Sequence, residues 1–587
     1  MINSRFISIF SLFLAFLSVS APVFALEEGL RPAPEIATGV SAVDSVRGTS
    51  MMAVTAHPEA TKAAYEILKR GGTAIDAAIT AQLVLGLVEP QSSGIGGGAF
   101  ALYFDAEHRQ VFSFDGREVA PQTAGEYLFV DEDGKAMNFY DAAIGGRAVG
   151  VPGVPRMMEM MHNMYGDLSW RELFSPAIQL AEQGVKVTPR LSKMLESNKR
   201  KFDVDVKTKL NFFPDSKNPL RVGRIYKNED YAKTLRLLAT QGTDAFYQGK
   251  MAQDIVAKVR DIKGNPGALT LEDMAAYRAK MRDVVCDTYR GYKICSMAEP
   301  SSGGITLLQI LKMLEGFNLR ALGVDNPKSW HIISEASRLA FADRNKYIAD
   351  PEFVPPRSKG LLNSSYIKKR ANKIDMNKAM LEVKAGTPPI SQKQASLGID
   401  DTIKPPGTTH MSIVDMSGNI VSMTSSIESA FGSHLMVNGF LLNNQLTDFA
   451  FVPADEEGRP KANKVEGGKR PRSSMAPTII FDPQGQPFMA IGSAGGSRII
   501  GFVLNQIISV IDWNIPIDQS ISRPHILHRG KKIEVEHSGI SMAEPLKDHG
   551  HPVLVGDMNS GITAIQFNGR SMIGVADPRR EGVAMGE

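Results

Sequence analysis

Apolar residues recur with a helical period in two segments near the start of the chain and again between residues 150 and 350. Residues 58–70 and 74–87 show this spacing, and Gly71 and Gly72 separate them. Residues 74–87 are apolar nearly all round, which predicts a buried helix capped by Thr73. Six further helices are predicted at 154–165, 169–183, 231–241, 251–260, 305–315 and 327–348.

The pattern changes after a polar stretch at 384–406, which contains several prolines and glutamines and is predicted to be a loop. Residues 408–427 then alternate as two strands around a turn at 417–419, which predicts a β-hairpin. A helix is predicted near 498–511. The other predicted strands lie at 99–104, 475–481 and 487–492, with a final pair within 562–575.

Composition is that of a globular protein, with 43% apolar and 22% charged residues in 587. Lys and Arg total 66 and Asp and Glu 63, and this net charge of +3 gives no reason to expect a nucleic-acid partner. Two cysteines exclude a disulfide scaffold, a four-thiolate zinc site and a cysteine-ligated iron–sulfur cluster. His525 and His528 have no cysteine nearby and are interpreted as surface or helix-terminal residues, so no metal or cofactor is expected.

The first 25 residues have the pattern of a secretory signal peptide. Arg5 precedes an apolar run at 6–20, and small residues around Ala25 suit a signal peptidase. The alternative is an uncleaved anchor, but the run is shorter than the ~20 residues that a membrane span needs. We expect an exported protein, periplasmic or secreted, without a stable membrane anchor.

Export permits a disulfide, and the two cysteines are placed to form one. Cys286 and Cys295 flank a predicted hairpin with Arg290 and Gly291 near its turn, so the thiols are expected to face each other. The alternative is a pair of unpaired apolar residues, and the disulfide is slightly favoured.

The start of the 408–427 hairpin has the residues for self-cleavage. A threonine hydroxyl needs a base beside it, and cleavage before Thr408 would free an α-amino group of pKa roughly 8 on the same residue. Gly407 lets the Thr408 hydroxyl approach the preceding carbonyl. A threonine that merely opens a strand is the commoner case, so Thr408 alone does not decide the function.

Other motifs supply what such a nucleophile needs. Residues 492–498 place two glycines between a predicted strand and helix, which exposes N–H groups that suit an oxyanion. Arg117 follows a strand and has the shape to bind a carboxylate through two hydrogen bonds. Residues 443–448 and 470–475 add amides, a carboxylate and two hydroxyls, which together with Arg117 suit the head of an α-amino acid.

These motifs together resemble the gamma-glutamyltransferase (gamma-glutamyltranspeptidase) family, over essentially the whole chain from about residue 40. The motifs are Gly-Thr-Thr-His at 407–410, Leu-Asn-Asn-Gln-Leu-Thr-Asp-Phe at 442–449, Lys-Arg-Pro-Arg-Ser-Ser-Met at 469–475, Gly-Ser-Ala-Gly-Gly-Ser-Arg at 492–498, Asp-Gly-Arg-Glu-Val-Ala-Pro at 115–121, Glu-Pro-Gln-Ser-Ser-Gly-Ile-Gly-Gly-Gly at 89–98, Pro-Ser-Ser-Gly-Gly at 300–304 and Ala-Asp-Arg at 342–344.

The resemblance implies an α+β fold, a four-layer αββα sandwich of the N-terminal-nucleophile hydrolase type. It implies a precursor that cuts itself between Gly407 and Thr408 into a large subunit, 26–407, and a small subunit, 408–587, which stay together as a heterodimer. The substrates it implies are glutathione and other γ-glutamyl compounds, with water or an amino-acid or dipeptide amine as acceptor.

The resemblance also implies a role for each matching residue. Thr408 is the expected nucleophile and Ser426 supports it. The remaining expected roles are the oxyanion hole at Gly495 and Gly496, the α-carboxylate ligands Arg117, Ser473 and Ser474, and the α-amino ligands Asp448, Gln445 and Glu428.

Two departures from the family pattern stand out, and two other functions remain open. Ala494 replaces the usual proline, and the segment 450–468, which corresponds to a lid, contains no Tyr or Trp. One alternative is an amidase for glutaryl or cephalosporin-type side chains, which the acids Asp448 and Glu428 disfavour because such groups have no amine. The other is an inactive exported binding protein, which the intact Thr408 disfavours.

Overall fold

A computed structural model describes residues 39–41, 43–389, 396–400, 402 and 407–587. The predicted signal peptide at 1–25 lies outside the described residues, as do parts of the predicted loop at 384–406. Among the described helices, none combines the length and the apolar character that a membrane span requires.

The described residues form 21 strands. They are β1 Val46–Gly48, β2 Met52–Thr55, β3 Gly98–Asp105, β4 Gln110–Gly116, β5 Val185–Lys186, β6 Ile225–Tyr226, β7 Lys280–Arg282, β8 Val284–Tyr289, β9 Tyr292–Met297, β10 Thr409–Val414, β11 Ile420–Ser426, β12 Met436–Val437, β13 Phe440–Leu441, β14 Thr478–Phe481, β15 Pro487–Gly492, β16 Ile526–His528, β17 Ile533–Glu536, β18 Val553–Gly556, β19 Thr563–Asn568, β20 Ser571–Ala576 and β21 Val583–Gly586.

The same residues form 19 α-helices. They are α1 Pro58–Lys69, α2 Ala74–Val88, α3 Phe139–Ala143, α4 Val154–Tyr165, α5 Trp170–Gln183, α6 Pro189–Asn198, α7 Val206–Phe212, α8 Glu229–Gln241, α9 Asp244–Tyr247, α10 Gly249–Arg260, α11 Leu271–Ala276, α12 Gly303–Leu314, α13 Leu319–Leu322, α14 Pro327–Tyr347, α15 Ser358–Leu361, α16 Ser364–Ala371, α17 Ile499–Ile511, α18 Ile517–Ser520 and α19 Ala543–Asp548.

The predicted helices and strands are all present, because their hydrophobic periods reflect real buried faces. The predicted cap of α2 is confirmed: the Thr73 side chain accepts from the N–H of Asp76, whose own side chain accepts from the N–H of Thr73. Every residue of α2 except Gly86 is buried, as its uniformly apolar sequence predicts.

Two seven-stranded sheets, in which every pairing is antiparallel, form the centre of the fold. The first sheet has the order β1-β20-β19-β15-β14-β9-β8 and the second the order β21-β2-β10-β11-β3-β4-β7. Hydrogen bonds join the two sheets face to face: the N–H of Thr478 donates to Ser422 Oγ (3.1 Å), and Ser412 Oγ donates to the carbonyl of Thr563 (3.1 Å).

Helices cover the outer face of each sheet, which gives four layers. An apolar cluster that includes Val54, Leu102 and Ile479 packs between the sheets. A second cluster joins α1 and α2 to the second sheet, and a third joins α12, α14 and α17 to the first. The expected αββα sandwich is therefore confirmed. Because both faces of a central strand such as β3 are covered, all of its residues are buried.

The two cysteines and the paired histidines are both placed by this fold. Cys286 on β8 lies opposite Cys295 on β9, and the two form the favoured disulfide. The interpretation of His525 and His528 as surface or helix-terminal residues was wrong, since both are buried at or beside β16. His525 packs on Phe502 of α17 and His528 lies near His551, with ring centroids 4.5 Å and 5.9 Å apart respectively, and no local pattern in the sequence indicates these contacts.

Candidate active site

Several predicted site residues lie at the same end of the second sheet. Because neighbouring strands are antiparallel, the start of one strand lies beside the end of the next. Thr408 immediately precedes β10, and Ser426 is the last residue of β11. Gly98, the first residue of β3, pairs with Ser426, and Arg117 follows the end of β4. The ends of the four adjacent strands β10, β11, β3 and β4 thus bring together residues that are about 300 positions apart in sequence.

The first sheet brings two further loops to the same cavity. Strand β15 ends at Gly492 and is followed by the glycine pair, whereas Ser473 and Ser474 precede β14. Nine of the ten predicted site residues line this cavity, and Gly495 is the sequence neighbour of one of them. The cavity is lined by Arg117, Thr408, Ser426, Glu428, Gln445, Asp448, Ser473, Ser474, Met475, Gly496, Ser497 and Ile499.

The peptide bond between Gly407 and the cavity-lining Thr408 lies next to two hydroxyl groups. The Thr408 hydroxyl donates to the carbonyl of Gly407, and Ser426 Oγ donates to the same carbonyl at 2.7 Å. Ser426 Oγ in turn accepts from the N–H of Glu428 at 2.8 Å. A Cβ at residue 407 would lie 2.1 Å from the carbonyl oxygen of Glu428, so only glycine allows this close approach.

A chain of polar side chains extends from Arg117 across the cavity. Arg117 Nη2 donates to Asp448 Oδ2 at 2.5 Å, and Gln445 Nε2 donates to the same oxygen at 2.8 Å. Gln445 Nε2 also donates to Glu428 Oε2 at 2.9 Å. The cavity therefore presents one guanidinium at one end and two carboxylates bridged by an amide.

The Arg117 guanidinium is fully buried. Its Nε donates to the carbonyl of Pro471 at 3.2 Å, whereas Nη1 makes no hydrogen bond to any described residue. Burial alone would lower the pKa of Arg117, but the carboxylates of Asp448, Glu118 and Glu428 outweigh it and raise that pKa. The group is thus a fixed cation in the cavity wall, where it attracts an anionic ligand.

Glu118 lies behind Arg117 and was not predicted as a site residue. Its Oε2 is 3.7 Å from Arg117 Nη1, and neither of its oxygens accepts a hydrogen bond from a described residue. Burial raises the pKa of Glu118 to about 8, despite the opposing effect of Arg117. The sequence offered one signal for Glu118, its position directly after Arg117. That signal is weak, because a carboxylate next to an arginine in sequence is usually part of an exposed ion pair.

Two of the family-like motifs support the serine pair. Arg344 Nη2 donates to Ser474 Oγ at 2.7 Å, and its Nε donates to Ser302 Oγ at 2.8 Å. Ser302 Oγ donates to the carbonyl of Ser473 at 2.6 Å. The motifs at 300–304 and 342–344 therefore hold the 473–475 loop in place.

The glycine pair requires its residue type. Gly495 has φ +126° and Gly496 has φ +57°, both in the region that side chains rarely adopt. A Cβ on Gly495 would also lie 2.6 Å from Phe502 Cε2. The pair leads through a short turn into α17, and Gly496 lines the cavity.

Arg580 is a second residue that the sequence did not reveal. Its Nη1 donates to the carbonyl of Thr408 at 2.9 Å and its Nε to the carbonyl of Ser560 at 3.1 Å. It is buried and lies 172 residues after Thr408. Only the fold brings the two together, so no spacing rule could have found it.

The segment 450–468, described throughout, supplies no residue to the cavity lining. It is bound to the site indirectly, because Asn463 Nδ2 donates to the carbonyl of Asp448 at 2.8 Å and to Asp400 Oδ2 at 2.9 Å. Phe451 stacks on Phe129 with ring centroids 4.7 Å apart. Across the described ranges, no group of three or more His, Cys, Asp or Glu is arranged to hold a metal ion.

Comparisons with known proteins agree with this geometry. The family model described as gamma-glutamyltranspeptidase matches residues 60–587. A glutathione hydrolase proenzyme of Bacillus subtilis (strain 168) is 36% identical over 553 residues, which cover 92% of this chain and 92% of that protein. An acylase ACY 1 proenzyme of Pseudomonas sp. (strain SE83) is 32% identical over 546 residues, covering 92% of this chain and 93% of that protein.

Among solved structures, a cephalosporin acylase from Bacillus halodurans superposes with a TM-score of 0.81 at 27% identity, covering 95% of this chain and 99% of that chain. The fold is thus that of the N-terminal-nucleophile hydrolases, and relatives named for two different activities share it. The family model covers nearly the whole chain, and the chain belongs to the gamma-glutamyltranspeptidase family.

Proposed function

We propose that this protein is a self-cleaving γ-glutamyl transferase and glutathione hydrolase with Thr408 as its nucleophile. One observation carries the proposal: the Thr408 hydroxyl shares a small cavity with a buried guanidinium and two carboxylates. That set of charges complements an α-amino acid head group, which has one carboxylate and one ammonium. The same set is not needed to cleave a simple amide.

Maturation begins at the Gly407 carbonyl. The Thr408 hydroxyl adds to its carbon, the C–N bond breaks, and the amide becomes an ester on Oγ1 with a free α-amino group on Thr408. Water then hydrolyses the ester. The hydrogen bond from Ser426 Oγ polarises the carbonyl for this attack. The products are a large subunit, 26–407 if the expected signal peptide is removed, and a small subunit, 408–587, in one heterodimer.

In the mature enzyme the freed amine serves as the base. With a pKa of roughly 8 it accepts the hydroxyl proton as Oγ1 attacks the γ-carbonyl of the donor. The N–H groups of Gly495 and Gly496 stabilise the oxyanion, and the leaving amine takes the proton as the C–N bond breaks. Water or an acceptor amine then resolves the γ-glutamyl ester.

The head group of the donor is held by the polar chain across the cavity. Arg117 binds the α-carboxylate, with the hydroxyls of Ser473 and Ser474 beside it. The ammonium lies between Asp448 and Glu428, with the carbonyl oxygen of Gln445 as a further acceptor. Because the site is buried, these charge-assisted bonds are stronger than they would be in water.

Acylase activity is the second candidate, because an acylase and a cephalosporin acylase are among the relatives. A glutaryl donor has the carboxylate but no ammonium, so its binding would lack the attraction between an ammonium and the carboxylates of Asp448 and Glu428. That costs binding energy relative to a γ-glutamyl donor. An inactive binding protein, the third candidate, would not need a glycine pair in strained backbone.

The test compares two chromogenic donors that differ only in the amine. γ-Glutamyl-p-nitroanilide should release p-nitroaniline with a kcat/KM at least about tenfold above that of glutaryl-p-nitroanilide. A tenfold ratio corresponds to a difference of ~1.4 kcal/mol in activation free energy. Glycylglycine should increase release if transfer is significant. Equal or faster turnover of the glutaryl compound would reverse the assignment.

Arg580 should position the nucleophile, since its Nη1 donates a hydrogen bond to the main-chain carbonyl of Thr408. We expect Arg580→Met to slow self-cleavage about tenfold or more, with Arg580→Lys in between, because one buried charge-assisted bond is worth ~1.5–3 kcal/mol. The measurement is the fraction of cleaved chain against time on a denaturing gel. Arg523→Met, a half-exposed arginine, serves as the control. Unchanged cleavage in Arg580→Met would remove Arg580 from this role.

A further inference from the structure

Positive charge is concentrated in one part of the chain, residues 185–228, which we call the basic segment. It contains twelve Lys or Arg and four Asp or Glu, a net charge of +8. The whole chain has a net charge of +3, so the remaining residues carry −5. The near-neutral net charge of the whole chain is therefore the sum of one basic region and a remainder with a net negative charge.

Hydrogen bonds hold the basic segment together as one folded region. Strand β5 pairs with β6, and the N–H of Gly223 donates to the carbonyl of Val187 at 2.8 Å. The N–H of Leu220 donates to the carbonyl of Phe212, the last residue of α7, at 2.9 Å. Phe202 and Phe212 pack inward against Phe431. The inner face is thus anchored, and it includes Arg190, which is buried and paired with Glu89 at 3.2 Å, whereas the other basic residues are at least partly exposed on the outer face.

The outer face of the basic segment combines exposed cations with exposed aliphatic side chains. Exposed basic residues include Lys186, Lys207, Lys217, Arg221, Arg224 and Lys227. Sixteen large hydrophobic side chains are exposed among the described residues, and four of them fall within 206–225. These four are Val206 (67% exposed), Leu210 (45%), Val222 (59%) and Ile225 (50%).

We propose that the basic segment docks the protein on an anionic lipid bilayer. Lys and Arg are attracted to anionic headgroups, and aliphatic side chains between them gain by entering the boundary between headgroups and acyl chains. A nucleic acid or an acidic polysaccharide offers the charge but no apolar phase, and the four exposed side chains include no aromatic ring to stack on a base. The combination of features therefore favours a membrane surface over a soluble polyanion.

This docking is peripheral and reversible, and it does not depend on the proposed catalytic activity. The residues concerned lie outside the cavity, so they can be changed without altering the chemistry. Removing one basic residue should weaken binding by about fivefold, and raising the salt concentration should weaken it further because the attraction is screened.

Vesicle flotation tests the proposal. The purified protein should float with vesicles of phosphatidylglycerol and phosphatidylcholine and should stay unbound with phosphatidylcholine alone. The triple variant Lys207→Glu, Arg221→Glu, Arg224→Glu should lose at least about a hundredfold in partition coefficient. The control triple Lys62→Glu, Lys368→Glu, Lys369→Glu makes the same change in net charge at exposed sites elsewhere and should bind like the unmodified protein.

A second variant isolates the apolar contribution. Val222→Ser with Ile225→Ser keeps the charge and should weaken binding to anionic vesicles about tenfold. Circular dichroism melting confirms that each variant is folded. The proposal is overturned if the unmodified protein leaves anionic vesicles unbound, or if both triple variants bind alike. An unchanged affinity in the serine variant would instead point to a soluble polyanion or an acidic protein as the partner.

Discussion

Replacing Thr408 with alanine should leave the protein as one uncleaved chain that releases no product from a γ-glutamyl donor. In the proposed mechanism the hydroxyl attacks both the Gly407 carbonyl and the donor, and no other residue would carry both a hydroxyl and the α-amino group freed by cleavage. Loss of a covalent nucleophile lowers kcat by at least about 10⁴-fold. A denaturing gel and a chromogenic assay on the same sample measure both effects.

The adjacent threonine provides a matched control. Thr409 is the first residue of β10, is buried, and its hydroxyl makes no hydrogen bond to any described residue. Thr409→Val changes a hydroxyl to a methyl group at the same depth and should still cleave itself and turn over substrate. A Thr408→Ala protein that matured and remained active would rule out Thr408 as nucleophile.

Arg117→Lys should raise KM for γ-glutamyl donors by about 10- to 100-fold and change kcat much less. The planar guanidinium can contact Asp448, the Pro471 carbonyl and a ligand together, whereas one ammonium cannot reproduce that fork. The loss of one charge-assisted contact corresponds to ~1.5–3 kcal/mol in kcat/KM. Steady-state kinetics with γ-glutamyl-p-nitroanilide separate the two constants.

Arg282→Lys is the control for this substitution. Arg282 Nε donates to Asp115 Oδ2 at 2.9 Å near the end of β4, but Arg282 does not line the cavity. Its variant should keep KM within about twofold while disturbing a similar buried pair. An unchanged KM in Arg117→Lys would mean that Arg117 is not the carboxylate ligand.

Local features of the fold were predictable because they depend on neighbours in sequence. The cap at Thr73 needs a partner three residues away, and the hairpin of β10 and β11 needs only its turn. The pairing of β21 with β2 joins residues near 584 to residues near 54, and no local pattern encodes it. The burial of His525 was missed for the same reason.

The candidate site shows the same division. Family-like motifs identified Arg117, Asp448 and the glycine pair, and the fold brings these motifs to one cavity. Arg580 and Glu118 were missed because their importance comes from contacts with Thr408 and Arg117 rather than from their own sequence.

Mass spectrometry of the rapidly quenched enzyme is the most direct test of the central claim. After mixing with a γ-glutamyl donor, the small subunit should begin at Thr408 and carry one γ-glutamyl group on the Thr408 hydroxyl, removable by hydroxylamine as an ester is. An active enzyme with an intact bond between Gly407 and Thr408, or with the γ-glutamyl group on another residue, would contradict the account.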